Sequence, residues 1–197
     1  SIAAGAPALA ADPVFPPGSR VGLVPAEGMS VARDFSGFVS GDQTIRIGLA
    51  EIPPAAYEAV DTAVKDGKAP PTGPKPEPIE TAAGKAYLTV ETGKDGDTPL
   101  RLYSLIVPGG TKFTGYLIAQ TRGAAPAISD EAMRKMLASV AIRMEVPVDE
   151  QLAQLPFKVG DLSGFKTVRT LAPRSTVLLT DGTEDTIVVI ANLDPHS

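Results

Sequence analysis

Two carboxylates, Glu51 and Glu91, each follow an alternating apolar run, and a pair of acids is what carboxylate-based hydrolysis would use if both projected into one cleft. Nucleophilic chemistry has less to work with. The lone histidine, His196, lies next to the C-terminus, where a second group can neither orient it nor complete a metal triad. A serine or tyrosine nucleophile would therefore depend on lysine as its base. No H-E-x-x-H, EF-hand ladder, G-x-S-x-G or Walker loop is present. The absence of cysteine also removes thiolate zinc sites, disulfides and cysteine nucleophiles. Asp95-Gly96-Asp97 and Asp181-Gly182-Thr183-Glu184-Asp185 carry oxygens of the kind a weak calcium site wants, but each reads better as an acidic hairpin tip. This inventory assigns no catalytic residue, no metal ligand and no cofactor.

Charge and composition narrow the partners. The formal net charge is −5 and the basic residues are scattered singly, which argues against a phosphate-binding face and so against nucleic acid. No window approaches the length of an apolar membrane span. With 43% apolar and only 5% aromatic residues, the core must rest on Val, Ile, Leu and Ala, and 19 prolines imply short elements between fixed turns. Ser1 to Ala11 within the leader at 1–14 is small and apolar, and Ala8-Leu9-Ala10 before Ala11-Asp12-Pro13 has the A-x-A shape of a signal-peptidase site. Residues 1–14 read as a signal-peptide remnant or a disordered leader, which makes the protein periplasmic or secreted.

The elements that must position any site centre on Lys85 to Gln120. Three strands are expected there, Lys85–Glu91, Leu100–Val107 and Lys112–Gln120, the last two joined by Pro108-Gly109-Gly110-Thr111, whose glycines suit a tight turn. Gly115 gives room for a neighbour's side chain or marks a bulge. Burial is expected for Leu102, Ile106 and Leu117. Upstream, strands are read at Arg20–Val24, from Gly28 to Phe35 with Phe38-Val39 extending it, and at Thr44–Ile52. Pro53-Pro54 then opens a helix over 55–67, in which Tyr57, Val60 and Val64 recur at helical spacing.

Residues 68–80 hold five prolines and read as an extended connector. Ser129 N-caps a helix expected over 129–141, with Met133, Met136, Leu137 and Val140 as its core stripe. A short helix over 149–155 precedes strand candidates at 157–159, 165–171, 175–180 and 186–191. This last stretch half-repeats the N-terminus: Val21-Gly22, Gly28-Met29, Val31-Ala32-Arg33 and Thr44-Ile45-Arg46-Ile47 find counterparts in Val159-Gly160, Gly164-Phe165, Thr167-Val168-Arg169 and Thr186-Ile187-Val188-Val189.

The fold class is thus α+β, a central, mostly antiparallel sheet packed against helices. A main domain is expected over 15–145 and a β-rich partial repeat over 146–197. The order of the Gly18 to Val24 sheet start, the Gly28-Met29 turn, the Pro53-Pro54 helix, the meander and the 129–142 segment resembles the fold shared by the photosystem II extrinsic protein PsbP and the nuclear-transport factor Mog1. The opening Gly18-x-x-Val21-x-Leu23-x-Pro25-x-x-Gly28 is similar to that of exported bacterial members of this group. The resemblance implies a sheet between helices used to hold other proteins, with no partner-contacting or metal-binding residue transferable position by position.

Function is accordingly expected to be non-enzymatic: a protein-binding or envelope-accessory module whose partner is an envelope protein. Tyr103 and Tyr116 are its candidate partner-binding residues, read as lying on a half-wet sheet face where aromatic side chains anchor partners, although the 129–141 helix could cover at least one of them. The alternatives are a small-ligand binder using a cleft between the sheet and the Pro-rich connector, and a hydrolytic enzyme with a carboxylate site at Glu51 and Glu91.

Overall fold

The computed structural model describes residues 11–68, 73–124 and 128–153, together with the backbone of three strands at 166–171, 176–180 and 187–191. The chain divides into two compact units, Ser1–Met144 and Glu145–Ser197. In the second unit, helix α3 (Val148–Ala153) is followed by strands β10 (Lys166–Leu171), β11 (Thr176–Thr180) and β12 (Ile187–Ala191). These strands form an antiparallel meander in chain order. The expected strand at 157–159, the Asp181–Asp185 tip, His196 and the N-terminal A-x-A sequence lie outside the described residues.

In the first unit, chain order gives β1 (Val21–Gly22), β2 (Met29–Val31), β3 (Gly37–Ser40), β4 (Ile45–Ile52) and α1 (Ala55–Lys65). It continues through β5 (Glu77–Thr81), β6 (Gly84–Asp95), β7 (Thr98–Gly109), β8 (Phe113–Arg122), α2 (Asp130–Ala138) and β9 (Ala141–Ile142). Seven of these strands make one sheet, ordered β2-β3-β4-β8-β7-β6-β5, and every neighbouring pair is antiparallel. The architecture is therefore sheet-dominated α+β, with β6, β7 and β8 adjacent as the sequence indicates. Their hairpins turn at Gly96 and Gly110, both at positive φ.

Several boundaries move for identifiable reasons. Phe38-Val39 does not extend the preceding strand but belongs to β3, which folds back on β2 through a turn ending at Gly37. A Cβ at Gly37 would lie 1.9 Å from the Ile47 carbonyl oxygen, so only glycine fits there. The first strand leaves the main sheet: Val21-Gly22 pairs with Ala141-Ile142 instead. That pairing also shortens the expected 129–141 helix, which ends at Ala138 with the Ser139 hydroxyl donating to the Met136 carbonyl. Gly115 makes the room foreseen for it, since a Cβ there would meet Val107, Ile142 and Val21. The end of the Pro-rich connector becomes edge strand β5, where Pro78 and the flanking Glu77 and Glu80 discourage further pairing.

The core occupies one face of the sheet. Ile45, Ile47, Leu49, Leu88, Leu105, Val107, Leu117 and Ala119 project to that side and cluster with Met133, Met136, Leu137 and Val140. Leu117 is fully buried, but Leu102 and Ile106 sit on the opposite face and are only half-buried, contrary to the expectation that all three share the core. Leu117→Ala should cost about 2–5 kcal/mol, and Leu102→Ala about 1 kcal/mol because its site is already partly wet. Gly37→Ala should cost about 2–4 kcal/mol through backbone strain and collision. Urea titration of the three variants checks the order.

Candidate functional site

Alternation along β7 and β8 decides where the candidate residues fall. Tyr103 pairs with Ala119 and projects into the core, whereas Tyr116 pairs with Ile106 and projects to the other face. The two tyrosines therefore cannot belong to one partner-binding surface. Tyr103 is 2% exposed and donates its hydroxyl to Asp130 Oδ1 at 2.8 Å. Asp130 opens α2 and also accepts from Arg134 Nε at 2.8 Å and from Arg101 at 3.3 Å, while Arg134 reaches on to Glu77 of β5. This cluster ties α2 to the sheet and corrects the reading of Tyr103 as an interface residue. Burial raises the Tyr103 pKa, and the Tyr103 hydroxyl, ahead of Arg134, holds the Asp130 carboxyl below the usual carboxylate range.

The carboxylate alternative meets the same geometry. Glu51 pairs with Gly115 on the core side and is held by Arg20, whose Nε lies 3.1 Å from both of its oxygens. Glu91 pairs with Leu102 on the opposite face. A sheet separates the two acids, so they cannot act on one substrate. Asp95 sits at its hairpin tip paired with Arg122 at 2.7 Å, and among the described residues no three metal-ligating side chains converge.

The second sheet face is covered only in part. Thr114 of β8 donates to the Pro54 carbonyl and accepts from the Tyr57 amide, while Tyr57 Oη donates to the Lys85 carbonyl of β6 at 2.7 Å. Tyr87, also on β6, donates to Asp61. These contacts place the start of α1 over β8 and its later turns over β6, so the helix crosses the strands. Lys65 first, then Tyr87, lowers the Asp61 pKa; burial, then the Asp61 charge, raises that of Tyr57. No α1 residue is buried, so the helix rests on this face through a polar latch and the Tyr57–Tyr87 ring contact, with centroids 5.7 Å apart.

Beside α1 the described residues of this face stay half-buried or exposed. Cross-strand register aligns Ser30, Val39, Arg46, Gln120, Leu102 and Glu91 in one row over β2, β3, β4, β8, β7 and β6. A second row, Gly48, Ile118, Ser104 and Thr89, lies between it and α1, and Ile118 is 39% exposed. Two grooves mark the long row. One, of about 320 Å³, is bounded by Val39, Phe35, Arg33 and Arg46; the other, of about 220 Å³, by Leu100, Leu102, Gln120 and Glu91. Arg46 lies 3.6 Å from Asp34 and stacks 4.8 Å over the Phe35 ring. Tyr116, half-buried, lies on this face between Thr114 and Ile118. Sequence reasoning missed this surface because Ser30, Val39, Arg46, Gln120 and Leu102 are far apart in the chain; the signal lay in Leu100, Leu102, Ser104 and Ile106 sharing one side of β7.

No protein-family model matches the chain, and no curated protein matches it. Among solved structures it is similar to a protein from Bacteroides thetaiotaomicron determined at 1.50 Å resolution, with 12% identity and a TM-score of 0.47. The match covers 66% of this chain and 48% of that one, so the chain spans about half the length of that protein. No described helix is long and apolar enough to cross a membrane.

The Tyr103–Asp130 contact has a pH signature. A depressed carboxylate pKa contributes stability that is fully present above the unfolded value of about 3.9 and is lost as pH falls through the folded value. Asp130→Asn should flatten the acid limb of a stability–pH profile below about pH 4. Tyr103→Phe should lower stability at neutral pH by about 1–2 kcal/mol. Denaturant midpoints collected from pH 7 downward measure both.

Proposed function

We propose that the protein is a non-enzymatic, exported protein-binding module that holds an envelope partner on the open half of its second sheet face. The observation that carries this reading is the contrast between the faces: one is filled by α2 and the β1–β9 ribbon, and the other has an apolar floor at Val39, Leu102 and Ile118 bordered by polar side chains. Such a patch, apolar within and polar at its rim, has the anatomy of a protein interface. The PsbP/Mog1-like resemblance of residues 15–144 supports the same role by analogy of fold. The A-x-A sequence supports export. The small-ligand alternative draws on the groove beside Arg46 rather than on a cleft at the Pro-rich connector.

The C-terminal unit is read here as a half-repeat of the N-terminus. In its support, β10, β11 and β12 follow one another in the same order and sense as β2, β3 and β4, and Ile187 opens β12 as Ile45 opens β4. Superposing Arg20–Ile52 on Lys158–Asp194 in crystals of the protein should overlay Thr44–Ile47 with Thr186–Val189; strands running in different directions would end the repeat.

Affinity capture from a native envelope extract tests the function. An Ile118→Asp/Leu102→Asp variant, with folding verified, should lose a specific protein partner that wild type and Tyr103→Phe both retain. Capture indifferent to the open face, or a small molecule carried through purification in place of a protein, would contradict the proposal.

A further inference from the structure

We infer that α1 is a strap: it lifts from the second sheet face as a unit, while the sheet and α2 stay folded, and so uncovers Tyr87 and Thr114. This stands on the contacts of α1 alone and is independent of the binding-face reading.

The side chains beneath α1 end in hydroxyls. Tyr87 is 1% exposed, yet it stands apart from the cluster of core side chains, because its register opposite Ile106 turns it to the other face. Thr114, two residues before Tyr116 on that same face, is fully buried as well. Tyr87 donates to Asp61 of α1, while Thr114 donates to the carbonyl of Pro54, the N-cap, and accepts from the Tyr57 amide. In return Tyr57 Oη reaches the Lys85 carbonyl, and Asp61 lies 3.8 Å from Lys85 Nζ. When the helix lifts, each of these groups exchanges a protein partner for water and none is left dry and unpaired, so each broken bond costs little. Apolar cover adds little more, because Val60 and Val64 are only half-buried and no residue of α1 is buried.

The ends of α1 suit such a motion. Pro53 and Pro54 join it to β4 and carry no amide hydrogen, so the entry donates nothing from its backbone to the sheet. No side chain caps that end, and Gly67, at positive φ, follows the other. An eleven-residue helix is marginal on its own in water, so α1 keeps its form chiefly while it is latched. Helix α2, by contrast, buries Met133, Met136 and Leu137 and is N-capped by Ser129. The two helices should therefore part from the sheet at different free energies.

Tyrosine itself supplies the test, since Tyr87 under α1 and Tyr103 under α2 are almost equally buried, at 1% and 2% exposed. The full chain is treated with tetranitromethane under native, single-hit conditions and nitration of each tyrosine is followed by mass spectrometry. Each rate is divided by that of the same residue in the urea-unfolded chain. Expected is Tyr87 reacting at least tenfold faster than Tyr103. Leu117→Ala, or Ile47→Val if that variant does not fold, weakens the core that the closed and lifted forms share; it should speed Tyr103 and leave Tyr87 within about twofold of wild type. Tyr57→Phe removes one latch and should speed Tyr87 about two- to tenfold. Equal normalised rates for Tyr87 and Tyr103, a Tyr87 rate that rises with the core variant, or one indifferent to Tyr57→Phe would overturn the strap.

Discussion

The ladder between β7 and β8, running from Leu100 paired with Arg122 to Gly109 paired with Phe113, determines most of what the first unit can do. Because side chains alternate across a strand, this single register sends Tyr103, Leu105, Val107, Leu117 and Ala119 to one side and Leu102, Ser104, Ile106, Tyr116 and Ile118 to the other. A slip of one residue would exchange the two sets. The register is held because the first set is fully or nearly fully buried under α2 and the β1–β9 ribbon, and its one polar member, Tyr103, places its hydroxyl on Asp130 at the start of that helix.

The two covering helices differ in how they are held. Three residues of α2 are buried, Met133, Met136 and Leu137, so its attachment draws on the hydrophobic effect at about 1.5–3 kcal/mol for each large side chain. Helix α1 buries none, and its hydrogen bonds through Tyr57, Thr114 and Tyr87 contribute about 0.5–1.5 kcal/mol each. Where α1 stops, Leu102 stays half-buried and Ile118 is exposed. That imbalance distinguishes the two faces of the sheet.

Much of the framework was legible from local pattern. Adjacent glycines announced the turn between β7 and β8, Ser129 announced the α2 start, and the methionine spacing announced a core stripe. The open face was not legible in the same way. Period two separates Tyr103 from Tyr116 only once their pairing is known, and a sequence cannot say which side of a strand a helix will cover when both sides carry leucines. Glu51 and Glu91 illustrate the same limit: each ends an apolar run, but the register puts them on opposite sides. Strand β5 was masked by prolines, which an edge strand tolerates.

The claim on which this account depends is that half of the second face is bare in the free protein. Hydroxyl-radical footprinting of the isolated chain measures it residue by residue. Ile118, Leu102 and Tyr116 should be oxidised readily, while Leu117, Leu105 and Tyr103, their neighbours along the same two strands, remain silent until the protein unfolds. Equal protection of Ile118 and Leu117 in the native chain would show the face already covered, and would contradict the account.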